Sequence, residues 1–359
     1  MNASAKKTRF NPASSSLRSV DAGVKRINLA LQGGGAHGAF TWGVLDQLLK
    51  EPDIAVEGVS ATSSGAMNAV VMAHGLAVGG RECAREALDK FWRTIAGIAA
   101  CFSPLQRSPI DRLIGNRGPE LSPSFLLFDI VSLYLSPYQL NPFNYNPIRH
   151  VIERMVDFER LRHRSAVKLF LAATNVRTGK VKIFTNTELT ADCVLASACL
   201  PSLCQAVEVN GEHFWDGGYM GNPALFPLIY SCESSDILVV QINPILRPDV
   251  PTTARDIMNR VTEISFNSSL MREMRAVAFV TQLIDDGKLC QSKAKRMLIH
   301  SISADDVMCE LGLGSRLNAD DELLTRLHNS GRERARLWID GHLKDLGIRS
   351  TIDIREIYL

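Results

Sequence analysis

The apolar positions of this 359-residue chain change period repeatedly, and the changes predict alternating strands and helices. Ile27-Asn28-Leu29-Ala30-Leu31 reads as a first strand. It runs into Gln32-Gly33-Gly34-Gly35-Ala36-His37-Gly38, after which Phe40, Val44, Leu45, Leu48 and Leu49 mark a helix that stops before Pro52. Val56 and Gly58-Val59 suit a short buried strand. A run of small residues, Ser60 to Gly65, follows it, and Ala66, Met67, Val70, Val71 and His74 then fall on a helical stripe. Helices are expected over 76–100, from Pro147 to Arg162, from Asp192 to Cys199 and over 252–288. Further strands are expected at Lys168–Asn175, Val181–Thr185, Val207–Val209, Glu212–Trp215, Asp236–Asn243 and Met297–Ile302. Asn210-Gly211 predicts a type I′ hairpin turn, and Asn318 with Asp321 predicts the cap of a last helix carrying Leu324, Leu327, Ala335 and Trp338.

Strands alternating with helices argue for an α/β protein whose mostly parallel sheet is covered on both faces. Residues 1–26 are rich in Ser, Ala and Lys without periodicity and are expected to be a disordered basic arm. A core is expected over 27–230, with 231–359 continuing the same domain. Within the core, 101–146 is punctuated by prolines around an apolar piece, Ser124 to Leu135. That texture suits a cap over a pocket, and equally an insertion packed on the surface.

Composition adds limits. The net charge of +2 gives no reason to expect nucleic acid as a partner. The charge is uneven: residues 1–26 carry six basic side chains against Asp21 alone, and such an arm is a solvated tail or a contact for anionic lipid. Eight scattered cysteines without a C-x-x-C read as free thiols in a reducing compartment, and no apolar run approaches the ~20 residues of a membrane span. The expectation is a cytoplasmic protein, with peripheral membrane contact as the alternative.

The chemistry concentrates in three places. A strand, an abrupt turn of small residues and a helix form the geometry of a nucleophile elbow, with Ser63 at its apex and Gly65 two residues later; Ala61 stands where the G-x-S-x-G pattern has its first glycine. Tight packing alone also explains such a run. The glycine loop 33–38 opens a helix and aims backbone N–H groups at one spot, fit for a phosphate or a developing oxyanion. It also satisfies G-x-G-x-x-G, so a dinucleotide-binding oxidoreductase is an alternative, though that match is weak alone. Third, Asp216-Gly217-Gly218 ends the hairpin. Acyl transfer needs a nucleophile, a base and oxyanion donors. Ser63, Asp216, and the amides of Gly33, Gly34 and Gly35 with Ser64 are the candidates. A Ser63–Asp216–His300 triad is the rival assignment, since an aspartate near its usual ~3.9 is a poor base.

QGGGAHG, SATSSGAMNA and DGG in this order resemble the patatin-like phospholipase family, over about 29–230. The resemblance implies a three-layer α/β sandwich and a Ser–Asp dyad of Ser63 and Asp216. It also implies an oxyanion hole at Gly33, Gly34 and Gly35, motif glycines at 38, 65, 217 and 218, and hydrolysis of lipid acyl esters without metal or other cofactor. Two departures stand out: Ala61 at the elbow, and His37 where many members carry a basic residue. An acyltransferase or a non-catalytic lipid-binding protein on the same fold remains an alternative.

Overall fold

The computed structural model describes residues 23–102, 127, 131, 134–290, 294–311 and 313–359. Most of the expected basic arm and of the cap-like apolar piece therefore lies outside the described residues. Among the described residues, eight strands form one mixed sheet: β1 Lys25–Leu31, β2 Ile54–Ala61, β3 Lys168–Asn175, β4 Val181–Thr185, β5 Val207–Val209, β6 Glu212–Asp216, β7 Asp236–Gln241 and β8 Leu298–Ser303. The order is β5-β6-β3-β2-β1-β7-β8, with β4 also paired to β3. β3, β2, β1, β7 and β8 run parallel, and β4, β5 and β6 add antiparallel pairings.

Both faces are buried, as continuous apolar strands such as Ile237-Leu238-Val239-Val240 require. Leu29, Leu31, Leu238 and Val240 point to one side, where helices α1 Gly38–Leu48, α2 Ser64–Phe102 and a C-terminal helix Asp321–His342 cover them. Ala30, Ile237 and Val239 point to the other, onto Phe226–Ser231, the long helix α3 Ala254–Asp285 and Ile354–Tyr358. The result is three layers, with β7 and β8 of the C-terminal part completing the sheet begun by β1.

Several boundaries differ from expectation. The first strand starts at Lys25, whose N–H binds the Asp53 carbonyl at 2.7 Å. The elbow helix and the following helix are two, as expected, but they meet at a kink at Gly79-Gly80, where the backbone leaves helical geometry, a few residues later than the expected start at 76. The stretch from Pro147 divides into Pro147–Met155 and Phe158–Arg164, because the Asp157 carboxylate accepts from the Arg160 N–H and starts a new helix. Asp320, not Asn318, caps the last long helix by accepting from the Glu322 N–H. Among the described residues, no helix is long and apolar enough to cross a membrane.

β3 positions the site. β4 faces residues 170–174 of β3 on one edge, so β2 and β6 share the other. β2 lies opposite 168–171 and leaves the sheet after Ala61, opposite Leu171. β6 arrives from the opposite direction and ends with Asp216 opposite Ala173. Two residues of β3, about 7 Å, separate the two registers. Beside them, the glycine loop leaves β1 at the point where strand order reverses between β2 and β7, the usual crevice of an open α/β sheet.

Candidate active site

Ser63 sits between β2 and α2 with φ +55°, a left-handed conformation rare outside glycine. Three contacts hold it there. Its N–H donates to Ser197 Oγ at 3.0 Å, the Thr62 N–H returns to the Leu31 carbonyl, and the Gly65 N–H closes onto the Thr62 carbonyl at 2.9 Å. A Cβ on Gly65 would lie 2.6 Å from the Leu31 carbonyl oxygen, so the elbow crosses the end of β1 only with glycine there. Ala61 is different: it still belongs to β2, opposite Leu31, and its methyl group is buried in the core. The elbow therefore accommodates alanine at that position without crowding the turn.

The glycine loop packs directly on the serine. A Cβ on Gly33 would stand 2.6 Å from Ser63 Cβ and 2.8 Å from the Thr62 carbonyl oxygen. The loop is fixed by a buried polar network. Asn222 Oδ1 accepts from the Gly33 N–H at 2.7 Å, and Asn243 Nδ2 donates to the Gly33 carbonyl at 2.8 Å. Gln32 Oε1 accepts from the Ile242 and Asn243 amides, while its Nε2 donates to Asn267 Oδ1. The Ser60 and Thr62 hydroxyls bond the Ala224 and Gly221 carbonyls, tying the Asn222 loop to the end of β2.

These bonds redistribute the expected oxyanion donors. The Gly33 amide is committed to Asn222, and the Gly34 amide donates to Ser64 Oγ at 3.2 Å. The Gly35 and Ser64 amides have no protein acceptor among the described residues. Both stand at the start of helical turns, where an N–H lacks an intrahelical partner.

Asp216 is fully buried at the end of β6. Its Oδ1 accepts from the Gly218 N–H at 2.7 Å, and its Oδ2 has no hydrogen-bond partner among the described residues. Burial pushes its carboxyl up to about 7, against the Gly218 amide and the Ser63 hydroxyl, which both favour the charged form. The Ser63 hydroxyl is thus near enough to stabilise the carboxylate but stops short of a formed hydrogen bond. The Gly217-Gly218 pair is needed for packing: a Cβ on Gly217 would collide with the Ala172 carbonyl, and one on Gly218 would lie 3.0 Å from the Phe266 ring. Glu273 is also raised to about 7, but its Oε2 accepts from the Leu225 and Phe226 amides at a helix start, a capping role.

Among the described residues no histidine is hydrogen-bonded to Ser63 or Asp216. His300 is the third residue of β8 and fully buried; Nε2 pairs with Asp236 Oδ1 at 3.0 Å and Nδ1 with Thr351 Oγ1 at 3.1 Å. Asp236 is buried at the beginning of β7, the end of the parallel strands away from the elbow. His37 is buried with Nε2 2.7 Å from Ser315 Oγ, and burial together with Arg316 and Arg247 pushes its pKa well below the ordinary value. It brings no charge to the loop at neutral pH. Among the described residues, no group of three or more His, Cys, Asp or Glu could hold a metal.

Sheet and site together define an α/β protein with a serine on a strained strand–helix turn beside a buried carboxyl. The chain belongs to the patatin-like phospholipase family, whose model matches residues 29–229 and which implies lipid acyl hydrolysis. No curated protein matches the chain. Among solved structures it is similar to VipD from Legionella pneumophila, at 14% identity and a TM-score of 0.41, over 89% of this chain and 67% of that one.

Proposed function

We propose that the protein is a serine lipid acyl hydrolase that cleaves carboxylic esters through an acyl-enzyme on Ser63. Asp216 Oδ2 takes the proton as Ser63 Oγ bonds to the ester carbonyl carbon. The oxyanion so formed is held by the Gly35 and Ser64 amides, with the Gly34 amide joining as it exchanges Ser64 Oγ for the new charge. Collapse breaks the carbon–oxygen bond to the leaving alcohol, which takes its proton from Asp216. Water then repeats the sequence and frees the fatty acid. Gly33 contributes as the close-packed base of the loop, not as a donor, because its N–H is held by Asn222.

The observation that carries this reading is the state of Asp216. An ordinary aspartate is too weak a base for a serine hydroxyl. A fully buried carboxyl raised to about 7, with one oxygen unpartnered and Ser63 beside it, is matched to proton transfer near neutral pH. Seven of the eight cysteines are free thiols, which supports work in a reducing cytoplasm.

The test is turnover of a chromogenic medium-chain ester by the wild type, Ser63→Ala and Asp216→Asn, with labelling by a fluorophosphonate. Loss in both variants and a label confined to Ser63 support the dyad. Equal turnover in all three refutes it. A labelled protein that moves the acyl group to an added alcohol instead of water is an acyltransferase. Absence of label with retained lipid binding marks a non-catalytic binder, and nicotinamide binding without label revives the oxidoreductase.

A further inference from the structure

α3, the 32-residue helix Ala254–Asp285, is two-faced in an unusual sense. Its inner face holds the site. Phe266 packs on Gly218, Asn267 bonds Gln32, and Ser269 Oγ accepts from the Asn222 N–H at 3.2 Å. Its outer face starts apolar: Ile257, Met258, Val261 and Ile264 are exposed, the last two at 53% and 54%. At 100° per residue, Ile257, Val261 and Ile264 share an arc of about 80° with Arg272 and Arg275 further along. Both arginines are exposed and have no ion-pair partner among the described residues.

Topology places this apolar half at the end of the sheet that carries Ser63 and the glycine loop. β7 is parallel to β1, so α3, which follows β7, begins at the end where β1 delivers the glycine loop. The other flank is also apolar and exposed. Tyr138 and Phe143, the latter 93% exposed, lie on a segment that is tied to the β5 side: Tyr138 Oη accepts from the Ala206 N–H at 3.2 Å, and Gln205 Nε2 donates to the Asn141 carbonyl. Val207, the next residue, pairs with Phe214 two positions before Asp216. Exposed apolar side chains thus stand on both sides of Ser63 and Asp216.

We propose that the N-terminal half of α3 docks the protein on an anionic lipid surface, with Ile257, Met258, Val261 and Ile264 entering the acyl boundary and Arg272 and Arg275 meeting the head groups. An apolar stripe followed by unpaired cations on one helix face matches a leaflet's apolar interior and charged rim. The choice of a lipid surface over a second protein also rests on the proposed hydrolase reading, since the same helix walls a site meant for acyl esters. Docking there presents lipid to the serine without full extraction into water.

Full-length wild type, Val261→Asp/Ile264→Asp and Arg272→Glu/Arg275→Glu are compared by flotation with phosphatidylcholine vesicles, with and without phosphatidylglycerol, and by turnover of a short soluble ester. The apolar pair of substitutions is expected to lower vesicle partition by at least about tenfold. The arginine pair removes the gain from phosphatidylglycerol, and soluble-ester turnover is unchanged in both. Vesicle partition equal in all three proteins overturns the docking surface. So does a wild type that self-associates in solution and is made monomeric by Val261→Asp/Ile264→Asp, since the face is then an interface between copies. If the wild type turns over no ester and takes no fluorophosphonate, the hydrolase reading fails, while the partition ratios still decide the docking surface.

Discussion

The Asn222 side chain grips the Gly33 main chain twice, Oδ1 accepting from its N–H at 2.7 Å and Nδ2 donating to its carbonyl at 3.4 Å. This amide pairing stands in for a strand partner at the one place where the glycine loop leaves the sheet. It also occupies the Gly33 N–H, so in the proposed mechanism the oxyanion falls to the Gly35 and Ser64 amides.

Asn222→Ala therefore leaves a buried backbone N–H unpaired, costing about 1–3 kcal/mol of stability. The larger effect is on positioning. With the loop free to shift against Ser63, kcat/KM is expected to fall roughly tenfold to a hundredfold while Ser63 still takes the fluorophosphonate slowly. Steady-state kinetics beside denaturant unfolding separate the two effects. Full activity in a destabilised Asn222→Ala would show that the loop needs no such anchor.

Asp216 ties activity and stability together with opposite signs. In its proposed role as base it acts ionised, so kcat/KM should rise with pH through an apparent value of about 7 and be lost below it. For stability, the folded-state carboxyl is raised above the unfolded 3.8. The protein is thus favoured below that value and loses this stabilisation as pH climbs toward 7. Asp216→Asn removes the charge and is expected to raise stability at pH 8, with a ceiling of about 4 kcal/mol from that shift, while abolishing turnover. A flat pH–rate profile, or a variant destabilised at pH 8 and not at pH 4, contradicts the assignment.

The same opposition holds at Ser63. With φ at +55°, a side chain there costs on the order of 1 kcal/mol relative to glycine. Ser63→Gly should be inactive yet more stable than Ser63→Ala by about that amount, read from paired urea titrations. Equal stability of the two variants would mean that the elbow is not strained.

Much of this was legible in residue order. All eight strands were, because buried parallel strands such as Ile237 to Val240 are continuous apolar runs between turn residues. So was the alignment of glycine loop, elbow and Asp-Gly-Gly, since each is a local pattern. What stayed hidden acts across long separations. Asn222, Gln32, Asn243, Asn267 and Ser197 orient the loop and elbow through side-chain contacts spanning 134 to 235 residues, and such contacts leave no periodicity. The run Gly221-Asn222-Pro223 and the asparagines among apolar neighbours were the available signals. The commitment of the Gly33 and Gly34 amides was equally unreadable, because each acceptor is fixed only by the fold.

His300 offers the sharpest check on the dyad. In chain order it completes a Ser–Asp–His series with Ser63 and Asp216, and in space it belongs to a different pair. Its Nε2 meets Asp236 Oδ1 at 3.0 Å, Oδ1 also takes the Gly347 N–H at 2.9 Å, and Trp338 stands edge-on to the imidazole. This cluster joins β7, β8 and the C-terminal turn, so its work is structural. His300→Ala is expected to cost roughly 2–4 kcal/mol, since Asp236 is left buried with one amide. At temperatures where the variant remains folded, kcat/KM and its pH profile should match the wild type. A loss of turnover equal to that of Asp216→Asn in a still-folded His300→Ala would replace the dyad by a relay through histidine.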